Sequence, residues 1–247
     1  MTPGRSIFSN IPPVTKSIII INFIIWLAMM ISPRLNIILT DYCALHFYKA
    51  SDFNVAQLFT YMFMHSTRDF AHILFNMFTL FMFGITLERV LRSERFLFYY
   101  ISCGIGAAIV QEIVWGLTML NELANIYKVD PNTMHQALIQ AETFGQEIPF
   151  FQEVLNKNFL TVGASGAIYG VLLAFGMIFP NMPLYIMFIP VPIKAKWMVI
   201  GYGAIELLIG LSHASDGVAH FAHLGGMLFG FFMILYWKKK GLFHGAF

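Results

Sequence analysis

The sequence predicts an all-α membrane protein, a bundle of six transmembrane helices with long outer loops. Three observations carry that expectation. Of 247 residues, 58% are hydrophobic and only 11% charged, with a mean hydropathy of +0.69, whereas a water-soluble globule carries about 25% Asp, Glu, Lys and Arg. The charges fall in clusters, and six of the gaps between them are long enough for a helical crossing of a bilayer, which takes about 20 apolar residues. Backbone groups in lipid must bond internally, so these gaps are helices and not isolated strands. The same composition excludes a soluble enzyme and a disordered chain. A formal net charge of +2 excludes a nucleic-acid binder. Cys43 and Cys103 are too few for a disulfide framework and read as unpaired.

The first span lies between Lys16 and Arg34, the second between Asp69 and Glu88, and the third runs from Phe96 to about Met119, interrupted only by Glu112. The fourth, FLTVGASGAIYGVLLAFGMIF, is followed by the Pro-punctuated turn PNMPLYIMFIPVP. The fifth covers about Trp197 to Leu211 and the sixth Val218 to Trp237. The first span is read as retained, because no small-residue cleavage site follows it and five more spans do. Lys and Arg fix the orientation. With both termini inside, Arg5, Lys16, Arg89, Arg92, Arg95, Lys194, Lys196 and Lys238 to Lys240 are cytoplasmic, ten residues against five (Arg34, Lys49, Arg68, Lys128, Lys157) outside. The organisation is thus a cytoplasmic tail 1–15, a membrane domain 16–237 with outer insertions 33–69 and 119–158, and a cytoplasmic tail 238–247. After the start signal Asp130-Pro131, the second insertion predicts one or two surface helices.

Polar side chains inside spans are costly, so their positions are informative. His72 and Asn76 lie i, i+4 in the first two turns of the second helix, roughly 5 to 10 Å down from the outer side at 1.5 Å per residue. Ser165 falls in the first turns of the fourth helix, and His220 and His223 in the first two turns of the sixth. Three helices distant in sequence deliver these groups to one depth. Gly166 with Gly170, and Gly226 with Gly230, form small-xxx-small tracks that allow helices to approach closely. Close packing of the fourth and sixth helices sets the Ser165 hydroxyl beside the His223 imidazole, the minimum for an activated serine. The Ser165 backbone N–H, with His72 and Asn76, offers donors for a developing oxyanion. No acidic third member is required by this arrangement.

Gly163-Ala-Ser165-Gly166 resembles the GxSG motif of the rhomboid intramembrane serine proteases. Ala222-His223-Leu-Gly-Gly resembles their sixth-helix histidine motif, and His65 through His72-Ile-Leu-Phe-Asn76 is similar to their second-helix His…His…Asn segment. The resemblance covers about residues 55 to 237. It implies a six-helix rhomboid-like core, cleavage of transmembrane protein substrates without a cofactor, Ser165 as nucleophile, His223 as general base, and His72 with Asn76 at the oxyanion. Tyr169 matches the aromatic that packs on the catalytic histidine, and Gly163, Gly166, Gly226 and Gly230 support the site. The sequence departs from the family where Ala56-Gln57 replaces an outer-loop Trp-Arg pair, and where His65 and His72 stand seven apart instead of the more usual five.

Other readings stand beside these. Ser165 suits helix packing, and His72 and Asn76 suit interhelical hydrogen bonding. His220 is a rival base, or else a water-facing or a substrate-cavity residue. With His223 it forms an H-x-x-H pair, but no third metal ligand is evident at that depth, so no metal is expected. His65 belongs to the loop entry or supports the site. Glu112 and Glu206 are placed by helical depth well away from Ser165 and read as structural, although a proton-coupled transporter would use such acids. The sequence therefore predicts a rhomboid-type serine endopeptidase of a bacterial plasma membrane, acting toward the outer face; the alternative is a non-catalytic rhomboid-like protein that binds membrane clients.

Overall fold

The computed structural model describes residues 10–143, 149–185, 191–212 and 218–242. The outermost parts of both expected tails, and residues 186–190 of the Pro-punctuated turn, lie outside that set. The fold is helical: α1 (Pro13–Ile31), α2 (Pro33–Cys43), α3 (Gln57–Thr60), α4 (Phe70–Thr79), α5 (Ile85–Leu91), α6 (Ser93–Tyr127), α7 (Pro131–Thr143), α8 (Pro149–Asn158), α9 (Ser165–Ile178), α10 (Ala195–Leu211) and α11 (His220–Lys239). Two antiparallel pairs of short strands accompany them, β1 (Leu45–His46) with β2 (Leu160–Thr161) and β3 (Pro183–Leu184) with β4 (Ile193–Lys194).

Among the described residues four helical runs are long and apolar enough to cross a membrane: Pro13–Ile31, Phe70–Leu91, Ser93–Tyr127 and His220–Lys239. The second joins α4 to α5 through a π-helical turn at Leu80–Gly84. The fourth and fifth expected spans are shorter. α9 has 14 residues and α10 has 17. The stretch Phe159–Ala164, counted with the fourth span in the sequence, is not helical: it holds β2 and Gly163, whose φ of 133° lies outside helical space. α6, by contrast, overruns its expected end near Met119 by a further eight residues. Its 35 residues measure about 52 Å at 1.5 Å per residue, against a hydrocarbon thickness of about 30 Å. It stops at Lys128, in the left-handed region at φ 54°.

The core lies around α6, which buries Phe96, Tyr99, Tyr100, Cys103 and Ala107 completely. Tyr99 donates its hydroxyl hydrogen to Gly170 O of α9 at 2.7 Å. At the other end, α1 begins after Pro12 without a side-chain cap of its own. The buried Glu88 carboxylate of α5 accepts instead from the N–H groups of Val14 (2.9 Å) and Thr15 (2.7 Å), and from the Ser93 hydroxyl (2.7 Å). An anion at those otherwise unpaired amides suits the helix dipole.

The segments that join the long helices at this end fasten to one another. Pairing of β1 with β2 ties the chain before α3 to the chain before Ser165. Gln57 is fully buried: its amide donates to Asp52 O (2.7 Å) and Asp41 O (3.3 Å), and its oxygen accepts from His46 N (3.2 Å). The insertion after α6 carries two helices, α7 and α8. Gln152 and Asn156 of α8 accept from the backbone of Ser51 and Asp52.

Candidate active site

The site begins at a turn. Gly163 N–H donates to Tyr61 O at 3.0 Å, and at φ 133° a side chain there would be strained. It would also have no room, since a Cβ on Gly163 would lie 2.8 Å from His72 Nε2. Ser165 follows as the first residue of α9. The N–H groups of a helix's first turn have no intrahelical acceptor, so the serine hydroxyl stands beside unpaired amides.

Glycines bring the histidine to it. A Cβ on Gly226 of α11 would lie 1.8 Å from Gly166 O of α9, so the two helices cross with their backbones touching. The other glycines of the two tracks serve a third helix. Cβ atoms on Gly170 and Gly230 would meet Cys103 and Tyr99 of α6, at 2.5 Å and 2.2 Å from the nearest atom. At this crossing His223 Nε2 is 2.7 Å from Ser165 Oγ. The Tyr169 ring, one turn beyond Ser165, stacks on the imidazole with centroids 4.2 Å apart and planes 6° from parallel.

His72 faces the same turn from α4. Its Nδ1 accepts from Ser66 N at a long 3.5 Å, which in the neutral ring puts the hydrogen on Nε2, the nitrogen beside Gly163. Asn76 is buried one turn below; one amide hydrogen goes to His72 O at 2.8 Å, leaving the other as a donor. His65 packs its ring 5.1 Å from that of His72. It is fully buried, and among the described residues neither ring nitrogen has a hydrogen-bond partner. Burial, with His72 beside it, pushes its pKa down to about 3, so it is neutral at physiological pH.

Glu206 corrects the sequence reading. It is buried and reaches His223, with Oε2 3.0 Å from Nδ1. It also meets His220, whose Nδ1 lies 2.6 Å from the same oxygen, and Tyr169, whose hydroxyl donates to Oε1. His220 is likewise buried, not water-facing, and it is Glu206's partner instead of Ser165's. Glu206 supplies the third potential metal ligand that the sequence left out, since its oxygen and the two histidine nitrogens lie within 4.8 Å of one another. The contacts themselves are of hydrogen-bond length, as 2.6 Å is shorter than the roughly 3.3 Å that separates two ligands held about 2.0–2.1 Å from one tetrahedral zinc. Glu112 remains apart from this cluster and accepts from Tyr48 N at 2.9 Å.

Depth along the chain could have revealed Glu206. It stands five residues before the end of α10, and His223 three after the start of α11. With eight residues joining the two helices, both lie within about 8 Å along the helix axes of the same end of the bundle. Tyr61 was also missed. It holds Gly163 through its carbonyl and α6 through its hydroxyl, which donates to Gly104 O at 2.7 Å.

Fold and site together define an integral membrane protein of apolar helices with a serine hydroxyl set against a buried imidazole. The family model for the Rhomboid domain matches residues 52–240, well over half of the chain, and the chain belongs to the rhomboid family. No curated protein matched it.

Proposed function

We propose that this protein is an intramembrane serine endopeptidase that hydrolyses peptide bonds of membrane-anchored proteins near the outer membrane face. The observation that carries the reading is the 2.7 Å separation of His223 Nε2 and Ser165 Oγ under the stacked Tyr169 ring. His223 takes the hydroxyl proton as Ser165 attacks the scissile carbonyl carbon, then returns it to the leaving amine. The oxyanion that forms is met by Ser165 N–H, His72 Nε2–H and the free Asn76 amide hydrogen, in a water-poor site where fixed donors count most. Water arriving from outside hydrolyses the acyl-enzyme, with His223 again as base.

In this reading the chain crosses the membrane six times with both termini inside. Residues 16–237 form the membrane domain, 1–15 and 238–247 the cytoplasmic tails, and 33–69 and 119–158 the outer insertions. The ten-to-five division of basic residues supports that orientation and a bacterial plasma membrane. Gly166 and Gly226 hold the crossing, Gly163 the turn before Ser165, and Gly230 the contact with α6.

The test is labelling of the detergent-solubilised protein by a fluorophosphonate probe, with the adduct located by mass spectrometry. An adduct on Ser165 that is absent from Ser165→Ala and His223→Ala is expected, the two losses being of equal size because the pair acts as a unit. A folded wild-type protein that forms no adduct would overturn the reading in favour of a client-binding rhomboid-like protein.

A further inference from the structure

We infer that Glu206 is a positioning residue for His223, making the hydrolytic unit a Ser165–His223–Glu206 relay; this rests on the reading of Ser165 and His223 proposed above. A carboxylate on an apolar helix is costly and is kept where it has partners. α10 exposes Trp197, Ile200, Ile205, Leu207, Leu208 and Leu211 around it, whereas Glu206 is 7% exposed. Its three polar partners, Tyr169, His220 and His223, all stand on α9 and α11, the helices that carry the serine and the base.

The role follows from the two nitrogens of His223. Nε2 must be unprotonated to take the Ser165 proton, so the ring hydrogen must sit on Nδ1. Glu206 Oε2, 3.0 Å away, is the acceptor that Nδ1 faces, although the approach is too oblique for a formed hydrogen bond. Catalytic hydrogen bonds are often loose before substrate binds and tighten during the reaction. Tyr169 and His220 fix the carboxylate from its other sides, so it does not need to reorganise. When the Ser165 proton reaches Nε2, both ring nitrogens carry hydrogen, and the imidazolium meets a fixed negative charge that the neutral ring used less. Glu206 stays ionised throughout: the one proton that moves goes from Oγ to Nε2 and on to the leaving amine.

The experiment compares wild type, Glu206→Gln and Glu206→Asp in detergent. It reads the rate of fluorophosphonate labelling, kcat and KM on a membrane-anchored model substrate, and the 15N shifts of the His223 ring. In wild type the ring should be the Nδ1–H tautomer. The Glu206→Gln amide can donate to Nδ1 and so select the Nε2–H form, with labelling and kcat falling roughly 100-fold or more while KM and melting temperature stay close to wild type. Glu206→Asp, still an anionic acceptor, should restore the tautomer and part of the rate. Wild-type kinetics in Glu206→Gln would overturn the proposal and leave the Ser165 reading intact, whereas absence of a wild-type adduct removes the Ser165 reading first. The ring shifts decide even there, and also if Glu206→Gln fails to fold: an Nε2–H ring in wild type overturns the role of Glu206.

Discussion

α9 and α10 are both apolar helices that meet at the candidate site, yet they are held in opposite ways. α9 buries ten of its 14 residues and α10 four of its 17. α9 is gripped by backbone: Gly166 touches α11, and Gly170 receives the Tyr99 hydroxyl of α6. α10 is held by side chains, with Val199 against Gly176 near its start, Met227 of α11 over Gly203 in its middle, and Glu206 together with Phe221 over Gly210 near its end. Its own glycines do not bring backbones together, since Cβ atoms on Gly203 and Gly210 would meet side chains of α11 and one on Gly201 would find nothing within 4 Å. The Ser165–His223 distance is thus set by the part of the bundle with least room to shift, and the acid reaches it from a helix fastened through side chains.

The largest effect should come from Gly226→Ala. A methyl group 1.8 Å from Gly166 O forces the helices apart, with an expected loss of about 3 kcal/mol and of fluorophosphonate labelling, both read in detergent. A wild-type melting curve and labelling rate would break the comparison. Tyr169→Phe is expected to matter less, because it keeps the ring on His223 and removes only the hydrogen donated to the Glu206 carboxylate, worth about 2 kcal/mol. Its signature is faster amide exchange in α10 with α9 and α11 unchanged; equal acceleration in all three helices would contradict the separate fastening of α10. Gly201→Ala should do least, raising the melting temperature slightly through about 1 kcal/mol of helix propensity. A lower melting temperature would reveal a contact on that face and narrow the contrast.

The membrane helices were legible because lipid leaves the chain little choice: gaps between charges locate apolar helices. Charge gaps do not mark where helices end. α6 runs on past Met119 because nothing in its sequence forbids it before Lys128, and α9 starts late because Gly163 turns the chain first. Ser165 was legible through its glycines, and His72 with Asn76 through their spacing of one turn. Glu206 was misplaced because a carboxylate in a span looks like an isolated cost until the antiparallel neighbour is set beside it. Gln57 was legible only as a departure, since its value lies in backbone groups of Asp41, His46 and Asp52 that its sequence neighbours do not announce.

The capping of α1 by Glu88 has a consequence for biogenesis. The amides of Val14 and Thr15 are synthesised more than 70 residues before the carboxylate that accepts from them. Until α5 has been made, the first turn of α1 must satisfy those amides with water or lipid headgroups. Completion of α1 is therefore tied to insertion of α4 and α5, and a defect at Glu88 would show as slow or faulty assembly in the membrane before any chemistry is measured.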